Sequence, residues 1–271
     1  MSKPPPMVLT IAGFDPSSGA GVTADIKTIA THGCYGISAI TAMTIQSTSG
    51  VRRVVPTDPQ VLADTLDELR RDGKVSAVHI GMLGTGEAGL RVADFLQSAS
   101  VNNVVLDPVL KSSSGAELLD RNGVAVLIQR LLPLADVITP NLDEAAALTG
   151  MKVENPTQME AAARRLHEMG AKVVVVTGGH LDQAIDVLSV KGEPVQIYRA
   201  KRIDSPNTHG TGCAFSTAIA CHLALGQSLS LAVLLAKSYV LAAIKNSYSI
   251  GPGPGPINHM YRITGGRSGE V

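Results

Sequence analysis

Short runs of Val, Ile, Leu and Ala alternate along this chain with stretches in which apolar residues recur every three or four positions. The first pattern predicts strands at 7–12, 40–45, 77–80, 103–106, 136–139, 172–177, 184–190 and 195–200. Several are unbroken, as in Val173-Val174-Val175-Val176, which suits strands buried on both faces. The second pattern predicts helices at 20–31, 59–72, 86–98, 121–132, 141–148, 157–169, 212–225 and 229–248. Strands alternating with helices imply βαβ crossovers. The expected fold is therefore α/β: a three-layer α/β/α architecture with a mainly parallel central sheet and helices on both faces. The sequence Lys191-Gly192-Glu193-Pro194 reads as a hairpin turn, which places an antiparallel pair at one edge.

No linker and no repeat divides the chain, so residues 1–271 are expected to form a single domain. Residues 1–6 and 264–271 are expected to be disordered. The run Gly251-Pro252-Gly253-Pro254-Gly255-Pro256 excludes both helix and central strand. The first residues hold three consecutive prolines and no apolar segment of the signal-peptide kind. The longest apolar stretch, 229–243, is interrupted by Lys237 and Ser238, which argues against a membrane span.

Composition narrows the picture. Hydrophobic residues make up 45% of the chain but aromatics only 3%, so the core must be aliphatic. The formal net charge of zero argues against a nucleic-acid partner, which needs a basic face. It leaves a phosphate ligand open, because backbone N–H groups bind phosphate without net positive charge. Cys34, Cys213 and Cys221 are odd in number and lack CxxC spacing. They suit neither a disulfide framework nor a zinc site, and a reducing, cytoplasmic setting is expected.

In such sheets ligands bind beyond the carboxyl ends of the strands, so the chemistry is sought in the loops there. The loop Gly13-Phe14-Asp15-Pro16-Ser17-Ser18-Gly19-Ala20-Gly21 is neither a P-loop nor GxGxxG, and reads equally as a plain turn or a ligand loop. Asp107-Pro108-Val109-Leu110 closes another strand and leads into the polar stretch 111–115. Asn141 and Glu144 have the spacing of a capping box. The functional alternative is that Glu144 helps hold Mg²⁺ through water. The most informative segment is Asn207-Thr208-His209-Gly210-Thr211-Gly212-Cys213, which opens a helix of small residues. Its glycines free backbone N–H groups to converge on an anion, and the helix dipole adds about half a positive charge there. Cys213 would lie in the first turn, where thiol pKa values tend to fall, and its thiolate could accept a proton from an attacking alcohol. The alternative is a buried packing residue, which suits Cys34 and Cys221 better. His209 and His180, each beside glycines, read as hydrogen-bonding loop residues, with a catalytic role as the alternative.

Together these segments resemble a known family. Thr10 to Gly21, Ile80-Gly81-Met82-Leu83, Asp107-Pro108-Val109, Thr139 to Ala145, Asn207 to Cys213, and Gly253-Pro254-Gly255-Pro256 with His259 are similar, in order, to motifs of the hydroxymethylpyrimidine/phosphomethylpyrimidine kinases of thiamine biosynthesis. Those enzymes belong to the ribokinase superfamily. The resemblance implies a ribokinase-like fold, ATP and Mg²⁺, and phosphate transfer to 4-amino-5-hydroxymethyl-2-methylpyrimidine and then to its monophosphate. It makes Gly210, Thr211 and Gly212 an anion hole and Cys213 the base. It maps the pyrimidine pocket onto Gly13, Ala20, Gln46, Met82 and Val109, with Asp25 also facing it. It assigns Asn141, Thr177 and Thr211 to the nucleotide, and Glu144 and Asp107 to the metal's surroundings. It also implies a homodimer. The Gln46 amide would complement a ring nitrogen beside an amino group. Relatives often carry Lys where this chain has Thr177 and Ser113, which bears on the second transfer. Rival readings are a pyridoxal kinase of the same superfamily and a non-catalytic ligand sensor.

Overall fold

A computed structural model describes residues 4–264 apart from residues 100 and 180. Among the described residues, nine strands form one sheet in the order β3-β2-β1-β4-β5-β6-β7-β8-β9. They are β1 (Met7–Phe14), β2 (Tyr35–Ser47), β3 (Gly50–Pro56), β4 (Val75–Ile80), β5 (Val104–Leu106), β6 (Val137–Ile138), β7 (Val173–Gly178), β8 (Gln183–Val190) and β9 (Gln196–Lys201). The run from β2 through β1, β4, β5 and β6 to β7 is parallel. The β7–β8–β9 edge is antiparallel, as the hairpin signal implied.

The opposite edge differs from expectation. β3 pairs antiparallel with β2, with a register shift between Ile45 and Gln46. Its Arg52-Arg53 pair and terminal Pro56 hide the strand pattern. Charge and proline are also what an exposed edge strand needs to avoid pairing with other chains.

The expected helices are α1 (Gly21–Thr31), α2 (Pro59–Asp72), α3 (Gly86–Ser98), α4 (Arg121–Val126), α5 (Leu142–Thr149), α6 (Pro156–Glu168), α7 (Thr211–Ala224) and α8 (Leu229–Lys245). α4 runs on as a π-helical turn over Leu127–Leu131, and a short α9 (Tyr261–Thr264) follows the Pro/Gly run. Buried strand residues alternate between two apolar layers. Leu9, Leu106, Val174 and Val176 pack with Leu66, Val92, Leu148 and Leu166, from α2, α3, α5 and α6. Val8, Val105 and Val175 pack with Ile29, Phe215, Ile219, Val233 and Tyr239, from α1, α7 and α8. Cys34 and Cys221 sit in the second layer as packing residues.

The expected disorder of residues 1–6 does not extend to the described part. The Pro6 carbonyl accepts from Tyr35 N–H at 2.9 Å. Residues 1–3 and 265–271, and His180, lie outside the described residues.

Candidate active site

The parallel strands deliver their carboxyl ends to one rim, where α1, α5 and α7 begin. Asp15 organises the first loop. Its Oδ1 accepts from Ser17 N–H at 2.8 Å and Ser17 Oγ at 2.7 Å, and its Oδ2 accepts from Ala20 N–H at 2.9 Å. His209 Nε2 meets Oδ2 at 2.8 Å and so ties this loop to the entrance of α7. Burial works to raise the Asp15 carboxyl, but the hydrogen bonds from His209 and Ser17 outweigh it and hold it below the usual carboxylate range.

The segment before α7 is fixed from the other side by the Pro/Gly run. His209 N–H donates to Gly255 O at 3.1 Å and Ile257 N–H donates to His209 O at 3.3 Å. Asn207 Oδ1 accepts from Gly255 N–H at 2.9 Å. Gly210 then caps α7 with φ +85°, a left-handed conformation that glycine adopts without strain. A side chain there would also collide with the Gly19 carbonyl.

The N–H groups of Gly212 and Cys213 lie in the first turn of α7, where no intrahelical acceptor is available to them. Gly212 is exposed and Cys213 half-buried, so the turn is open to a ligand. Asp107 lies beside it: a methyl group on Gly212 would stand 3.8 Å from Asp107 Oδ2. The Gly21 N–H donates to the Cys213 thiol.

Two buried carboxyls face this turn from the strand ends. Burial pushes Asp107 up to about 6. Burial, reinforced by Asp107, pushes Glu144 up to about 8. Glu144 completes the capping box of α5: Asn141 N–H donates to its Oε2 and Asn141 Oδ1 accepts from Glu144 N–H, both at 2.9 Å. Two desolvated carboxyls, the one at Glu144 raised further by Asp107, suit a hard cation. No larger cluster of metal-ligating side chains exists among the described residues.

The third wall is apolar. Met82 packs with Ala42 and Leu118, and Val109 lies against them. A Cβ on Gly13 would stand 2.7 Å from Met82 Sδ, so a larger residue there would displace the Met82 side chain. Gln46, on β2, completes the wall. Its Oε1 accepts from Thr44 Oγ1 at 3.1 Å, and its Nε2 lies 3.3 Å from His209 Nε2.

Residues 15–258 match the family model for phosphomethylpyrimidine kinase. This chain belongs to that family. It is a phosphotransferase with a ribokinase-like fold. The hydroxymethylpyrimidine/phosphomethylpyrimidine kinase of Haemophilus influenzae is 43% identical over 93% of this chain and 96% of its own length. The thiamine biosynthesis bifunctional protein of Geobacter sulfurreducens is 44% identical over 93% of this chain; the chain spans about half of that protein, 52%. Among solved structures, the Staphylococcus aureus pyridoxal kinase in complex with AMP-PCP and pyridoxal aligns at a TM-score of 0.87 and 33% identity, covering 95% of this chain and 94% of that one.

With the family in hand, the assigned residues of this kinase can be placed. Gly13 lies against Met82, Met82 packs with Val109, and Gln46 reaches His209 beside Gly210, whose backbone meets Gly19 next to Ala20. Asn141 pairs with Thr177 across the ends of β6 and β7, where Thr177 N–H donates to Pro140 O at 2.9 Å. Ser113 Oγ lies 3.5 Å from His209 Nδ1.

Asp25 is a correction. It is fully buried and cannot face a substrate. Its carboxylate accepts from Thr10 Oγ1 at 2.7 Å and Thr217 Oγ1 at 2.8 Å beneath α7. The expected lowering of the Cys213 thiol is also reversed. Burial, then Asp25 and Asp107, drive it well above the ordinary thiol value, and these outweigh the hydrogen bond from Gly21. Asp15 was missed as an organiser, although the Asp-Pro-Ser sequence carries the signal of a side-chain-capped turn. His79 and Ser216 were missed too. A histidine inside an apolar strand and a serine inside a helix give no local signal.

Proposed function

We propose that this kinase transfers the γ-phosphoryl group of ATP to the hydroxymethyl oxygen of 4-amino-5-hydroxymethyl-2-methylpyrimidine, and then a second phosphoryl group to the monophosphate. The observation that carries this reading is the arrangement of two features at the strand ends. It joins a helix-capping anion hole with a thiol, Gly210 to Cys213, to a flat apolar wall with one amide, Met82, Val109 and Gln46.

Each residue then has a defined task. The Gly212 and Cys213 N–H groups, with Gly210 and Thr211 shaping the turn, stabilise charge on the moving phosphoryl group. Cys213 takes the proton of the attacking hydroxyl. Gln46 reads the aminopyrimidine edge, Met82 and Val109 cover the ring, and Gly13 and Ala20 let the backbone approach it. Asn141, Thr177 and Thr211 contact the nucleotide. Glu144, through water, and Asp107 would hold Mg²⁺, which when bound neutralises phosphate charge. Neither Thr177 nor Ser113 supplies a cation toward the second phosphate, so the second transfer is the slower one in this reading.

The proposal extends to a single ribokinase-like domain, supported by the one continuous sheet. It also includes a cytoplasmic homodimer, supported by the exposed Met43, Ile45 and Val55 on one face of the β2–β3 pair. No described helix is long and apolar enough to cross a membrane. The test is mass spectrometry of products from the pyrimidine alcohol with ATP and Mg²⁺, with pyridoxal run in parallel because of the Staphylococcus aureus likeness. Addition of one and then two phosphates to the pyrimidine is expected. Faster turnover of pyridoxal would overturn the substrate assignment.

A further inference from the structure

Beneath the anion hole lies a buried chain of polar side chains that no step above uses. His79 on β4 is fully buried. Its Nδ1 lies 3.2 Å from Thr10 Oγ1 and 3.4 Å from Asp25 Oδ2, and its Nε2 lies 2.9 Å from Ser216 Oγ. Ser216 Oγ in turn lies 3.2 Å from Asp107 Oδ2, 3.0 Å from Gly212 O and 3.1 Å from Cys213 O.

With Asp107 ionised, counting hydrogens assigns the charge of the ring. The Thr10 hydroxyl hydrogen goes to Asp25, so Thr10 Oγ1 can only accept from His79 Nδ1. The Ser216 hydroxyl has one hydrogen; the Gly212 and Cys213 carbonyls can only accept, and so can Asp107 once it is ionised, above about pH 6. If that hydrogen went to His79, Asp107 Oδ2 would lose this donor. If Ser216 donates to Asp107, His79 Nε2 must donate to Ser216. The second arrangement satisfies both, and it makes the ring an imidazolium set between Asp25 and, through Ser216, Asp107. Burial alone opposes that charge, but the Asp25 carboxylate outweighs it and holds His79 above the ordinary histidine value. The Asp–His–Ser order is that of a hydrolase triad, yet Ser216 is fully buried and out of reach of any substrate.

We propose that His79 is a positioning residue for phosphoryl transfer: through Ser216 it fixes Asp107 and the first turn of α7, and its charge offsets the carboxylates that face Cys213. The groups concerned are Asp25 on α1, Asp107 beyond β5, Glu144 on α5 and Cys213 on α7. Without the imidazolium these carboxylates would act on the thiol unopposed. The kinetic part rests on the reaction proposed above; the part about Cys213 does not.

Two variants test it. His79→Gln keeps a polar contact to Ser216 and removes the charge. It should lower kcat about 10- to 100-fold, with KM for the pyrimidine within about threefold. It should also move the pH of half-maximal Cys213 alkylation by iodoacetamide upward by about one unit or more. Peptide mass spectrometry separates Cys213 from Cys34 and Cys221. Ser216→Ala keeps the imidazole but removes the hydroxyl that links it to Asp107 and to the first turn of α7, and it is small enough to fold. It should reproduce the kcat loss with an unchanged KM. A wild-type kcat in Ser216→Ala, or an unmoved alkylation profile in folded His79→Gln, overturns the proposal. If wild-type protein phosphorylates no pyrimidine, the reaction assignment falls while the alkylation comparison still decides the role of His79.

Discussion

At the residue scale, the chemistry centres on a thiol in an unfavourable field. A helix N-terminus lowers a thiol by a partial positive charge. Three carboxyls and burial reverse that at Cys213. A reaction that needs the thiolate should therefore speed up with pH well into the alkaline range. A pH–rate profile of kcat checks this, and Cys213→Asp should shift the rise to lower pH. Cys213→Ala should lose about 10²- to 10⁴-fold in kcat, the usual contribution of a positioned base. The residues of this site were readable to different degrees. Gly210 to Cys213 and Asn141–Glu144 carry their purpose in local spacing. Asp25 was misplaced because a helix-face residue looks alike whether it points to the pocket or to the layer beneath. His79 was invisible because its partners, Asp25 and Ser216, lie 54 positions before it and 137 after it.

At the scale of elements, the entrance to α7 is a backbone device, and its glycine can be tested against a control. Gly210→Ala meets both a left-handed φ, costing about 1–2 kcal/mol, and the Gly19 carbonyl. It should lose stability and most activity. Gly33 has φ +74° and open space around it, so Gly33→Ala should lose about 1 kcal/mol and keep kcat. Thermal unfolding with activity assays separates the two. The α8–β8 contact rests on Lys237 and Asp186, paired at 2.7 Å with side chains 8% and 7% exposed. Lys237→Met strands Asp186 and should cost about 3–5 kcal/mol by urea denaturation. Adding Asp186→Leu should recover much of that loss.

The end of α1 supplies a pH prediction. His32 packs against His222 and Tyr239, and burial depresses it from 6.5 to about 4. A depressed folded pKa contributes stability that is fully present above pH 6.5 and is lost as pH falls through 4. The melting temperature should therefore drop over that window, and His32→Phe should shallow the drop.

At the scale of the whole molecule, the sheet brings loops from across the chain to one rim. The sequence by itself determined the parallel centre, the hairpin edge, the two aliphatic layers and the motif loops, because each is written in local periodicity or turn chemistry. Edge strand β3 escaped, since exposure relaxes the alternation that marks a strand. Only the tertiary structure decided which carboxylates gather. Asp25, Asp107 and Glu144 stand on different elements, and their mutual field depends on distance and desolvation, which no sequence spacing records. That field sets the state of Cys213 and calls for the buried charge of His79.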